Sequence, residues 1–157
     1  MKFKPKERKA KDILKSLDVR PTKERGQNFV IQPWVINQIV EFANIPKGSS
    51  IIEIGPGLGA LTKELVKIGD VTVVEIEPEF CERLKLEHPE LTVINADARE
   101  FDFGTLNKGS TVVGNLPYAY STDILFHMLK FNKHLGRLIF LLQKEFTERI
   151  SSPPGFK

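Results

Sequence analysis

Ser50-Ile51-Ile52-Glu53-Ile54-Gly55-Pro56-Gly57-Leu58-Gly59-Ala60 runs from apolar residues straight into closely spaced glycines, and the reading of this stretch decides the fold. A short apolar run that stops at glycine has the length of a buried strand. Beyond the glycines, Leu58, Leu61, Leu65 and Ile68 return at helical spacing until Gly69 ends the pattern. The stretch reads as strand, tight turn and helix.

Working outward, Pro33 suits a first helical position, and Val35, Ile36, Ile39, Val40 and Ala43 recur on one helical face that should end before Pro46. On the other side the order repeats. Strands are predicted over 71–75, 91–95, 111–115 and 137–143, with helices over 78–86, 122–131 and 144–150. Strands alternating with helices predict an α/β chain, a Rossmann-like, mostly parallel sheet with helices on both faces. Ligands of such sheets bind beyond the carboxyl ends of the strands, where strand order reverses. The residues that carry chemistry should therefore sit just after strands.

Glu53 and the glycine loop are the first such group. Glycines permit a tight turn and a close backbone approach, and the helix start offers unpaired N–H groups to a polar ligand. Gly55, Gly57 and Ala60 also satisfy the G-x-G-x-x-G/A spacing, so a nicotinamide dinucleotide stays open at this point. Glu75, at the end of the second strand, can accept both ribose hydroxyls, a role that nicotinamide and S-adenosylmethionine sites share. Asp97 follows the third strand, where it can take an adenine amine or simply cap a turn. Taken together, Glu53, the loop, Glu75 and Asp97 look like the arrangement of S-adenosylmethionine-dependent methyltransferases.

Asn115-Leu116-Pro117-Tyr118 follows the fourth strand. Alone, such a tetrapeptide is an ordinary strand-ending turn; its position beside the cofactor loop gives it a second reading. The exocyclic amine of adenine is a poor nucleophile because its lone pair is delocalised into the ring. Two acceptors, the Asn115 side-chain carbonyl and a backbone carbonyl at Leu116, would draw the nitrogen toward a pyramidal geometry and favour the transition state. Pro117 removes a donor and stiffens the turn. Tyr118 offers a face for an unstacked base, a contact worth about 1–3 kcal/mol.

With both sites in view, the chain resembles the ribosomal RNA adenine dimethyltransferase family, and its KsgA type more than the erythromycin-resistance methylases. The resemblance rests on Gly26-Gln27-Asn28-Phe29, the loop at 53–62, Glu75 within 74–77, Asp97 within 95–98, Asn115 to Tyr118 followed by Ser121 and Thr122, and Gln143-Lys144-Glu145. It covers roughly residues 22–157. It implies that Gln27 and Asn28 meet the methionine end of S-adenosylmethionine, that Gly55 lies against it, that Glu75 takes the ribose and Asp97 the adenine, and that Glu53, Gly57, Gly59, Ile76 and Ala98 also belong to the cofactor site. Asn115, Leu116, Pro117 and Tyr118 would hold the target adenine, Asn115 also bordering the cofactor. The implied reaction is in-line transfer from S-adenosylmethionine to N6, leaving S-adenosylhomocysteine, with a second round giving dimethyladenosine and no metal required. Family members continue into further strands and a small helical RNA-binding domain. The expectation is thus an incomplete core at 26–157, without that domain, which binds cofactor but transfers methyl groups weakly.

Charge is uneven. Residues 1–25 carry ten Lys or Arg against four Asp or Glu, net +6, whereas 26–157 carry thirteen against sixteen, net −3. The arm with Lys2, Lys4, Lys6, Arg8, Lys9 and Lys11 would neutralise phosphates of small-subunit ribosomal RNA or a pre-ribosomal particle, although a merely solvated tail has the same composition. Cys81 stands alone as a helix residue, and His88, His127 and His134 lack metal-ligand spacing. No export signal or membrane span is evident, so a soluble cytoplasmic protein, and a monomer, is expected. Three alternatives stay open: a nicotinamide dehydrogenase, a DNA adenine methylase, and a non-catalytic RNA-binding assembly factor that keeps the fold.

Overall fold

Side chains alternate between the two faces of a strand. In β1 (Ser50–Ile54) residues on both faces are buried, which requires cover on both sides. The computed structural model of the chain describes residues 32–153 and 155. The basic arm, Gln27 and Asn28 lie outside those residues. In order, α1 (Pro33–Ala43), β1, α2 (Thr62–Leu65), β2 (Asp70–Glu75), α3 (Pro78–Glu87), β3 (Thr92–Asn95), a 3-10 turn (Phe103–Thr105), β4 (Thr111–Asn115), α4 (Ser121–Leu129), β5 (Leu138–Leu141) and α5 (Lys144–Ser151) follow one another.

The sheet order is β3-β2-β1-β4-β5, and every pairing is parallel. The chain moves outward from β1 to β3 and then returns to the far side of β1, so strand order reverses between β1 and β4. At that junction Ile54 pairs with Val74 on one side and Gly114 on the other. The turns that leave β1 and β4 are thereby side by side.

Ile52, Ile54, Val74 and Val112 bury on one face with Ile124 and Met128 of α4, Phe103 and Leu135. Ile51, Val71, Val73 and Val113 bury on the other with Ile36 of α1, Leu65 of α2 and Leu84 of α3. The doubly covered sheet predicted from the strand–helix alternation is therefore present. Helix starts follow local chemistry: α1 and α3 each open with a proline at the first turn, where its missing N–H costs nothing. The first of these closes on Asn44, left-handed at φ 42°, whose N–H donates to the carbonyls of Val40 and Glu41.

Helix α2 differs from expectation. The apolar period runs from Leu58 to Ile68, yet only four residues are α-helical. Gly57 and Gly59 sit at φ 53° and 75°, which holds the segment before Thr62 in turns. Leu61 and Leu65 are buried nonetheless, so the period reports burial rather than helix length.

Gly59 has a further reason to be glycine. A Cβ there would lie 2.8 Å from Leu84 Cδ2, where α3 packs beneath the loop. Gly59→Ala should therefore lower stability by about 1–3 kcal/mol through left-handed strain and crowding, read as a lower denaturation midpoint at unchanged m-value. An unchanged midpoint would show that the loop is not pinned here.

Candidate functional site

The carboxyl ends of the four strands β1 to β4 open onto one cavity of about 300 Å³. Residues 53–58 supply one wall, 74–76 the floor, and 96–99 the far side, with Asn115 and Pro117 opposite. Ile39 of α1, Phe80 of α3, and Tyr120 and Ile124 at α4 complete it. This is the reversal point of the strand order, where an α/β sheet leaves a crevice that no crossover fills.

Three carboxyl groups, those of Glu53, Glu75 and Asp97, line this mostly apolar space. Glu75, at the end of β2, accepts the Gly57 N–H at 3.0 Å on Oε2 and the Glu77 N–H at 2.9 Å on Oε1. The side chain thus holds the glycine turn to the neighbouring strand while keeping further lone pairs toward the cavity. Burial pushes its pKa up to about 7, against backbone hydrogen bonds from Gly57 and Ile76 that lower it. Asn95 steadies the same strand end by donating to the carbonyls of Glu75 and Ile76. Glu53 is 2% exposed and accepts the Thr62 hydroxyl at 2.6 Å. Burial raises its pKa to about 8, opposed by that hydroxyl and reinforced by the charge of Glu75.

The sign of the resulting pH dependence is fixed. Between the ordinary value of 4.5 and about 8, folded Glu53 keeps a proton that the unfolded chain has released. Stability from this group is thus highest at low pH and falls as pH rises through that window. Glu53→Gln should flatten the fall, an effect on the order of a few kcal/mol, measured as denaturation midpoints at pH 6 and 8.5 for both proteins. Parallel curves for the two would overturn this reading.

Asp97 is held by the residue two positions on. Its Oδ1 accepts the backbone N–H of Arg99 at 2.9 Å, and both carboxylate oxygens accept from the guanidinium. These bonds hold its carboxyl below the usual range. The same guanidinium lies 4.2 Å from the centroid of the Tyr120 ring.

The fourth-strand motif divides. Asn115 is half-buried and lines the cavity, and its backbone oxygen is 4.0 Å from where a Cβ on Gly55 would stand. Pro117 lines the cavity as well, while Leu116 turns its side chain into the core at 1% exposed. Tyr118 is 39% exposed and lies outside the lining; Tyr120 takes the aromatic position in the wall. The chain closes a turn with the Tyr120 N–H on the Pro117 carbonyl, and this turn carries the second tyrosine inward.

Of the expected cofactor residues, Glu53, Gly55, Gly57, Glu75, Ile76, Asp97 and Ala98 meet at this cavity. Gly59 does not line it and packs against Leu84 instead. Sequence reasoning missed Arg99 and Tyr120. Their signal was available, since one follows Asp97 by two positions and the other precedes a helix, but neither spacing distinguishes a wall from a solvated loop. Cys81 is buried on α3. Among the described residues no group of three or more His, Cys, Asp or Glu could hold a metal ion, and no helix is long and apolar enough to cross a membrane.

Comparison with known proteins follows the same lines. The profile of the family described as ribosomal RNA adenine dimethylase matches residues 20–157. Ribosomal RNA small subunit methyltransferase A of Aeromonas hydrophila is 45% identical over 144 residues, covering 86% of this chain and 53% of that protein. Among solved structures, the 23S rRNA methyltransferase ErmE aligns with a TM-score of 0.69 at 29% identity, over 77% of this chain and 50% of the other. A dimethyladenosine transferase from Plasmodium falciparum aligns with a TM-score of 0.67 at 25% identity, over 80% and 46%. The chain spans about half the length of the curated relatives it matches.

Proposed function

Because the chain belongs to the ribosomal RNA adenine dimethylase family, we propose that it transfers methyl groups from S-adenosylmethionine to N6 of adenine in small-subunit ribosomal RNA, giving N6,N6-dimethyladenosine. One observation carries the reading: Gly55, which follows β1, and Asn115, which ends the neighbouring β4, border a single cavity whose floor holds Glu75. The small subunit is favoured over the large because the 45% identical relative is named for the small subunit, against 29% for the 23S enzyme.

The residues present fit the cofactor. The absence of a side chain at Gly55 leaves an open cradle beside Asn115. Glu75 keeps acceptor capacity for vicinal hydroxyls after its two backbone bonds. Ile76 and Ala98 give apolar contact to a flat ring, and Asp97 can accept from an amine. When bound, S-adenosylmethionine supplies an electrophilic methyl group on a sulfonium sulfur.

The chain's own part is positioning and polarisation. Asn115 Oδ1 and the Leu116 carbonyl would accept the two N–H bonds of the target amine and localise its lone pair. Pro117 stiffens the turn that aims them, while Tyr120, and Tyr118 from outside the lining, offer ring faces to an unstacked base. The arm bearing Lys2, Lys4, Lys6, Arg8, Lys9 and Lys11, with Gln27 and Asn28 beyond it, would contact RNA phosphates and the methionine end respectively. The reading describes a cytoplasmic monomer that meets ribosomal RNA or a pre-ribosomal particle, with 26–157 as its cofactor-binding core.

The test has two stages. S-adenosylhomocysteine, and not NAD, should raise the melting temperature of the chain. Labelled S-adenosylmethionine should then mark adenines in undermethylated small-subunit particles, mapped by primer-extension arrest. Stabilisation by NAD alone, or label confined to another base, would refute the assignment.

A further inference from the structure

Arg99 is more elaborately held than a surface arginine needs to be. Its guanidinium spans two residues that line the cavity, bonding both oxygens of Asp97 and resting 4.2 Å from the centroid of Tyr120. The salt bridge is partly exposed, with side chains 35% and 23% accessible, so its contribution to folding is small. What it does change is the freedom of the carboxylate. Four hydrogen bonds from one residue fix Asp97 in a single orientation at the far wall of the cavity.

We propose that Arg99 is a positioning residue that makes the cavity selective for an amino-purine: it locks Asp97 as an acceptor at the far wall while its own side chain is held against Tyr120. The proposal rests on the reading that the adenosyl end of S-adenosylmethionine lies against Asp97. An exocyclic amine donates a hydrogen to a fixed carboxylate. A keto oxygen at the same ring position meets that carboxylate with like polarity, and the guanidinium N–H groups bonded to Asp97 cannot turn to it without leaving that partner. The bonds from Arg99 also keep Asp97 ionised, in line with its lowered pKa. The other charged or titratable neighbours are His127 of α4, which acts on Asp97 in the same direction, and Asp123 of α4 together with Tyr120, which act on Arg99.

Isothermal titration with S-adenosylhomocysteine and with S-inosylhomocysteine, in which a keto oxygen replaces the amine, tests this. The unsubstituted chain should bind the adenosyl compound and reject the inosyl one. Arg99→Met should weaken adenosyl binding on the order of tenfold, about 1.4 kcal/mol, and shrink the ratio between the two ligands. Arg99→Lys, which keeps a cation but loses the planar fork, should recover part of the affinity and less of the ratio. An Arg99→Met protein with the parental ratio would overturn the proposal while leaving the cofactor assignment intact. Failure of the unsubstituted chain to bind S-adenosylhomocysteine would instead remove the assignment, and the proposal with it.

Discussion

Asn115→Ala is expected to lower methyl transfer about 100- to 1,000-fold, the loss seen when one preorganised polar group is removed from a reacting centre, about 2.7–4 kcal/mol. The dissociation constant of S-adenosylhomocysteine should change by less than about threefold, because in the proposed function Glu75 and the glycine turn hold the cofactor while the Asn115 amide serves the target base. Alanine leaves β4 intact, since Asn115 ends that strand and its backbone pairing with Leu141 does not involve the amide. Single-turnover transfer to undermethylated particles, with cofactor affinity measured in parallel, separates the two quantities. A parallel loss of affinity and rate would make Asn115 a cofactor ligand rather than an acceptor for the base. Undiminished transfer would remove it from the chemistry and revive the reading of a non-catalytic RNA-binding factor.

Glu75→Ala should weaken S-adenosylhomocysteine on the order of 100-fold. Hydrogen bonds to a charged acceptor contribute about 1.5–3 kcal/mol each, and two ribose hydroxyls would lose theirs. The same substitution strips the Gly57 and Glu77 N–H groups of their acceptor, so the turn loses its tie to β2 as well. Glu75→Gln distinguishes the two effects, since its carbonyl can keep one backbone bond. The pH dependence has a definite sign. With its pKa raised to about 7, Glu75 is protonated below that value and gives up acceptor capacity. Affinity of the unsubstituted chain should therefore fall as pH drops below about 7, approaching tenfold per unit, whereas Glu75→Gln should be weak and flat. Calorimetry from pH 5.5 to 8.5 measures both, and a pH-independent affinity in the unsubstituted chain would exclude the carboxylate as ribose acceptor.

Much of this site was legible in the residues because chemistry after strands is forced by the sheet. Glu75 ends β2 and Asn115 ends β4, as their sequence positions imply, and parallel pairing then brings them to one edge. What escaped was decided by turns. The period from Leu58 to Ile68 looks like a long helix, but two glycines at positive φ spend its first turn in the loop, and only Thr62–Leu65 is helical. Tyr118 and Tyr120 are equally aromatic in sequence. Their roles separate only because the Pro117 turn rotates one outward and the other into the wall. Arg99 reads as one more charge in a polar loop until its guanidinium is seen on Asp97 and Tyr120 at once.

The pairing of Ile54 with Gly114 has an implication for redesign. Neighbouring strands are spaced by about 4.8 Å whatever their side chains, so the offset between the glycine loop after β1 and the turn after β4 is set by backbone geometry. Rewriting the turn at 115–118 to admit another nucleobase need not disturb the loop at 55–59, provided Tyr120 stays beneath Arg99. A scaffold of this kind can exchange one half of its chemistry while the other half keeps its address.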